Sequence, residues 1–313
     1  MSQNGGCISR RSFLSYSSAV ALGSMLIAAG GSSASGLHAA NRRGKPGSMS
    51  QDDGGIHVGL VTYLWGKDWD VPALIRNCER AGAEGVELRT QHAHGVDVGM
   101  SERAKQEVRL RFQSSPVTLV GLGTNWEFHS PDPEELQHNI EMAKQYLHLS
   151  YEVGGSGVKV KPNTLPDGVP VERTIEQIGR SLNELGKYGA NLGQEVRLEA
   201  HGRETQQPEI LDQILEVADH PNVGLCWNSN TVDVEGKGFE YNFNLVKDRL
   251  SHTIHTRRLD SPDYPYQRMF KILVDIGYEG WILIEESSRP QDRVEALAQQ
   301  AQIFQDLLVK AKT

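Results

Sequence analysis

Two carboxylates, an imidazole and a carboxamide stand at corresponding places in four successive apolar runs. They are Glu199 in EVRLEAH (195–201), Asn228 in VGLCWN (223–228), His255 in SHTIHT (251–256) and Glu285 in WILIEE (281–286). Oxygen and imidazole donors of these kinds suit a hard or borderline divalent cation such as Mn, Co, Mg or Zn. The two carboxylates could also take and return protons beside such an ion. Taken singly, each residue has an ordinary structural role: a buried glutamate pairs with an arginine or lysine, and a core histidine is satisfied by its neighbours. Their recurrence at the ends of consecutive runs makes them a candidate centre.

The runs themselves predict the elements that must position these groups. Four more precede them, at 56–63, 85–90, 117–124 and 157–162, each rich in β-branched and aliphatic residues. Between the runs lie stretches with apolar residues at helical spacing, such as 133–149 and 171–189. Pro with Asp or Ser opens several of them, as helix starts require. Strands alternating with helices predict a parallel sheet with right-handed crossovers. Eight such units over 56–313 match a single (β/α)8 TIM barrel, an α/β fold. An open doubly wound sheet is the alternative, but no GxGxxG follows the first run to support its dinucleotide-binding form.

Alternation along each strand then sorts the side chains. Arg197, Glu199 and His201 share the inward face, as do Asn228, the trio Ser251, Thr253 and His255, and Glu285. Glu87 and Arg89 point inward from the second strand, Lys159 and Lys161 from the fourth. Charges there are costly unless they form a site, and a barrel's site lies at the C-terminal ends of its strands. Glu87, His92, His94, Lys161, His201 and Arg257 are therefore the candidate substrate-binding residues. Neutralisation of Glu87 by the two lysines, a second metal site at His92 and His94, or a plain solvated loop there are the competing readings. Trp65, Trp69 and Trp126 could stack on a sugar ring or cap the core.

Four segments resemble the xylose-isomerase-like sugar phosphate isomerase/epimerase family: VRLEAH, NVGLCWN, LSHTIH and YPYQRMFKILVDIGYEGWILIE. The resemblance runs from about His57 to the C-terminus. It implies one divalent ion held through Glu199, Asn228, His255 and Glu285, with Glu199 and Glu285 trading a proton α to a substrate carbonyl. Asn228 stands where the family usually has an aspartate. A carboxamide offers an oxygen without charge, which lowers the expected affinity for the ion.

The N-terminus sets where such chemistry would occur. Residues 1–40 carry Arg10 and Arg11 before a Gly-interrupted apolar stretch and a run of small residues, the layout of a secretory signal. The SRRSFL string resembles the twin-arginine export motif, so the export machinery is an expected partner and the periplasm or exterior the expected location. Residues 41–55 read as a linker. An uncleaved anchor is the alternative, but the apolar run is short for a spanning helix, so the mature chain should not stay in a membrane. The whole chain has 313 residues, 32 basic and 40 acidic side chains, and a net charge of −8. Removing the segment with its two arginines leaves 30 against 40, or −10. That balance argues against nucleic-acid binding. Cys78 and Cys226, which remain after the segment is removed, read as buried free thiols. Export favours a free sugar or sugar derivative over a sugar phosphate as the small-molecule partner. It also keeps open a lyase acting on 3-keto-glycosides, and a carbohydrate-binding barrel without catalysis.

Overall fold

A computed structural model describes residues 55–313; the expected export signal and the linker up to residue 54 lie outside the described residues. The elements run β1 (Ile56–Val61), α1 (Val71–Ala81), β2 (Gly85–Arg89), α2 (Glu102–Gln113), β3 (Thr118–Glu127) and α3 (Pro133–Val153). They continue with β4 (Gly157–Lys161), α4 (Val171–Ala190), β5 (Glu195–Glu199), α5 (Pro208–Val217), β6 (Val223–Cys226) and α6 (Phe239–Val246). The last are β7 (Thr253–Thr256), α7 (Tyr266–Asp275), β8 (Gly280–Ile284) and α8 (Arg293–Lys312). Short 3-10 turns, Thr231–Val234 and Lys247–Arg249, flank α6.

The helices form where the apolar spacing predicts them. In α4, Ile175, Ile178, Leu182 and Leu185 are buried on one face, the stripe an amphipathic helix turns to a core. Asp70 accepts from the Ala73 N–H to start α1, and left-handed Gly82 ends it. Asp132 caps α3 in the same way, with Pro133 in its first turn. No helix among the described residues is long and apolar enough to cross a membrane.

The strands pair in parallel in the order β6-β5-β4-β3-β2-β1-β8-β7. The first and last strands are neighbours, in register from Ile56↔Gly280 to Leu60↔Ile284. That adjacency is the TIM barrel and excludes an open doubly wound sheet. One seam is thin. Between β6 and β7 only isolated bridges join Leu225 to Leu250 and Asn228 to His255. Ladder pairing in β6 stops at Cys226, short of the expected strand end at residue 228.

Most apolar side chains pack between the sheet and the helices, leaving a largely polar interior. Glu87, Lys159, Arg197, Glu199 and His255 are all buried there. Glycines make the room. A Cβ on Gly121 would lie 2.5 Å from the Gly157 carbonyl oxygen and 2.9 Å from Arg197 Nη1. The guanidinium above it donates to Glu195 at 2.8 Å, to Ser156 at 2.7 Å and to the Val120 carbonyl at 3.2 Å. Gly121→Ala should therefore cost about 1–3 kcal/mol of stability, read from equilibrium denaturation; an unchanged midpoint would mean that β3 and β4 can move apart.

Candidate metal centre and rim

Strand ends bring the four predicted ligands together. Glu199 is the last residue of β5 and pairs in register with Cys226. Asn228 follows β6 by two residues and bridges to His255 across the seam. Glu285 follows β8 directly, and its N–H donates to the Thr256 carbonyl at 2.8 Å. One potential ligand atom from each of Glu199, His255 and Glu285 lies within 4.8 Å of the others. His255 Nδ1 is 3.5 Å from both Glu199 Oε1 and Glu285 Oε2. Asn228 Nδ2 donates to the same two oxygens, at 3.0 and 3.3 Å.

Two further charges fix this arrangement. Lys159 Nζ lies 2.7 Å from Glu199 Oε2 and donates to the Thr124 carbonyl at 3.0 Å. Glu87, fully buried, has Oε1 3.2 Å from His255 Nε2. A carboxylate on one imidazole nitrogen leaves the other to face the centre, the usual support for a ligand histidine. Burial pushes the Glu199 carboxyl up, yet Lys159, His255 and Lys161 together hold it well below the ordinary range. Burial and the Glu199 charge push Glu285 up; His255 and Lys159 outweigh them, so it too is lowered. Glu285 is the more open of the pair, its side chain 15% exposed against 2% for Glu199.

These donors fit a single divalent cation. Two carboxylates and an imidazole already converge, and rotating the Asn228 amide would exchange its NH2 for its oxygen without changing its shape. Lys159 occupies only Oε2 of Glu199, leaving Oε1 toward the centre.

The remaining candidates divide between rim and interior. Lys161 Nζ is 3.4 Å from His201 Nε2 at the rim. His92 reaches the Thr62 hydroxyl at 3.3 Å. His94 spends both ring nitrogens on backbone, at the Arg89 carbonyl (2.8 Å) and the Val96 N–H (3.0 Å), which makes it a brace for its loop. Glu87 lies behind His255 in the interior and is met by His255, not by Lys159 or Lys161. Arg257 is half-buried beyond β7, with its Nε buried and unbonded. Trp65 and Trp69 are buried in the core, and half-buried Trp126 packs on His138 and Tyr146. Cys78 and Cys226 are buried and free.

Sequence reading missed a buried chain behind Asn228. Trp227 Nε1 donates to Tyr264 Oη at 2.8 Å, and Tyr264 donates to Asp233 Oδ2 at 2.6 Å. Asp233 also accepts from the Asn230 N–H at 2.9 Å, half of a capping box on the 3-10 turn. The N-x-x-D spacing was the available signal. Burial pushes the Asp233 carboxyl up from 3.8 to about 7 against the pull of Tyr264, Asn230 and Arg257. The folded chain thus holds this proton where the unfolded chain has released it. Stability must fall as pH rises through that window, by up to about 1.4 kcal/mol per unit. Asp233→Asn should flatten stability between about pH 5 and 7 in denaturant titrations; an equal slope in both proteins would refute the assignment.

Comparison with known proteins agrees with this architecture. The inosose dehydratase of Clostridium tetani (strain Massachusetts / E88) is 20% identical over 279 residues, 75% of this chain and 91% of that protein. The crystal structure of the apo 3-keto-D-glucoside 4-epimerase of E. coli superposes with a TM-score of 0.67 at 15% identity, over 80% of this chain and 99% of that one. The IolI protein with a bound zinc atom gives 0.66 at 16% identity, over 81% and 98%. Structural likeness at such identities shows the fold. The model of the xylose isomerase-like TIM barrel matches residues 75–307, most of the described chain, and the protein belongs to that family.

Proposed function

We propose that this chain is a sugar isomerase or epimerase that moves a proton on the carbon α to a carbonyl. The observation that carries this reading is the convergence of Glu199, His255 and Glu285 at the mouth of the barrel. With Asn228 they would hold one divalent ion (Mn, Co, Mg or Zn). When bound, that ion would supply Lewis-acid stabilisation of negative charge developing on the substrate's carbonyl oxygen.

The residues divide the remaining work. Glu285, the more open carboxylate, takes the proton from the carbon. Glu199, with Oε2 held by Lys159 and Oε1 turned to the centre, is the partner carboxylate for return of the proton. Lys159 fixes the rotamer of Glu199, and Glu87 fixes that of His255. Lys161, His201, His92 and Arg257 contact the substrate at the rim. The SRRSFL string supports export by the twin-arginine route to the periplasm or exterior, and with it a free sugar or sugar derivative as substrate.

A lyase is the second reading, supported by the similarity to an inosose dehydratase. Removal of the same α proton followed by loss of a β substituent would use the same base. Substrate panels distinguish the two: epimerised product accumulates in one case, and the unsaturated ketone, with water or an aglycone lost, in the other.

Purified protein should contain about one divalent ion per chain by elemental analysis and introduce solvent deuterium into ketoses or 3-keto-glycosides. Glu285→Gln and Glu199→Gln should each slow exchange by roughly 10²–10⁴-fold. Sugar binding without any exchange would replace this reading with a non-catalytic carbohydrate-binding barrel. Asn228→Asp provides a separate check. It replaces the amide N–H bonds to Glu199 and Glu285 with a third negative charge, so the metal-free protein should lose about 1–3 kcal/mol. Added Mn should raise its melting temperature more than it raises that of the native protein.

A further inference from the structure

The rim of the barrel carries positive charge that its own carboxylates do not pair. Lys161 is only 8% exposed, and its Nζ bonds to the imidazole of His201, not to an acid. If Nζ donates into His201 Nε2, the imidazole proton sits on Nδ1, which is itself buried without a hydrogen-bond partner. Arg89, two strands away, lies over the Tyr63 ring at 4.8 Å and donates to Asn125 Oδ1 at 3.3 Å. Among the described residues no carboxylate pairs with either Lys161 or Arg89. This contrasts with Lys159, one turn of the pleat deeper, which has Glu199 at 2.7 Å. Burial lowers the Lys161 pKa, and the charges of Lys159 and Arg89 lower it further, outweighing the opposing charges of Glu199 and Glu285, neither of which forms an ion pair with it. A buried donor left open in this way calls for an acceptor, and two repelling cations call for an anion.

We propose that the substrate is a sugar acid, and that Lys161, positioned by His201, binds its carboxylate while Arg89 attracts it to the rim. With one N–H on His201 Nε2, the Lys161 ammonium keeps two donors, which match the two oxygens of a carboxylate. A hydroxyl would satisfy a donor without offsetting the charge, and a phosphate dianion would bring more acceptor oxygens than the two remaining Lys161 donors can meet. The inference rests on the reading that this rim receives a sugar, and it names the class of that sugar.

Titration calorimetry with three matched ligands tests it: D-fructuronate, D-fructose and D-fructose 6-phosphate. Fructuronate should bind at least about tenfold tighter than fructose and tighter than the phosphate, with the margin shrinking as salt is added. Lys161→Met should collapse the ratio between acid and neutral sugar, and Lys161→Arg should retain part of it. Circular dichroism melting establishes that each variant is folded, and His201→Gln serves as the second probe if Lys161→Met is not. Equal affinities, tightest binding of the phosphate, failure of fructuronate to bind, or a ratio that survives Lys161→Met would each overturn the proposal. Deuterium exchange is read separately. Bound fructuronate that never exchanges would refute proton transfer and leave the carboxylate site standing; exchange into fructose with equal affinities would do the reverse.

Discussion

A buried ion pair, Lys159 with Glu199, organises the mouth of this barrel. Both side chains are 2% exposed at 2.7 Å separation, and removing two ions from water costs several kcal/mol for each. Such a pair persists only where the remaining polar atoms are met. Here the Thr124 carbonyl takes one Lys159 hydrogen, and the Asn228 amide donates to the other oxygen of Glu199. The consequence is directional. With Oε2 held from β4, Glu199 can present only Oε1 to the centre, where Asn228, His255 and Glu285 meet it.

The same contacts act where the sheet is weakest. Every pair of neighbouring strands except β6 and β7 is joined by a ladder, with register shifts in β2–β3 and β3–β4. At that seam the backbone supplies isolated bridges, and one of them joins Asn228 to His255. The side-chain bond from Asn228 to Glu285 crosses the gap to the end of β8, and its bond to Glu199 ties Asn228 back to β5. The donor set is thus both the candidate metal centre and part of the closure of the barrel. A ligand that reorients Asn228 would act on the seam as well as on the carboxylates.

Electrostatically the interior is graded. Arg197 is answered by Glu195 nearer the N-terminal ends of the strands, Lys159 by Glu199 above it, and His255 by Glu87. Only at the rim does the pairing stop, with Lys161 against an imidazole and Arg89 against an amide and an aromatic ring. A chain of net charge −8 thus places unpaired positive charge at the mouth of its barrel.

Much of this was legible in the sequence, for a local reason. Strand alternation is set by backbone geometry, so the inward placement of Glu199, His255 and Glu285 follows from their positions in 195–201, 251–256 and 281–286. Alternating strand and helix patterns likewise specify a parallel sheet, because parallel neighbours need crossovers; its closure into a barrel was decided by the pairing of β1 with β8. Partner choice is different, since it depends on register between strands far apart in sequence. Nothing local says that Lys159 meets Glu199, that Glu87 stands behind His255, or that His94 folds back on its own loop. Parity also says nothing of depth: Lys159 and Lys161 share a face, yet one is paired in the interior and the other is left at the rim. The Trp227–Tyr264–Asp233 chain links residues brought together only by folding, and burial, which perturbs the Asp233 carboxyl, exists only once the chain has closed. Sequence by itself determined the strands, their faces and the donor types; the tertiary structure decided which charges are neutralised and which remain open, because desolvation and pairing are properties of assembled surfaces.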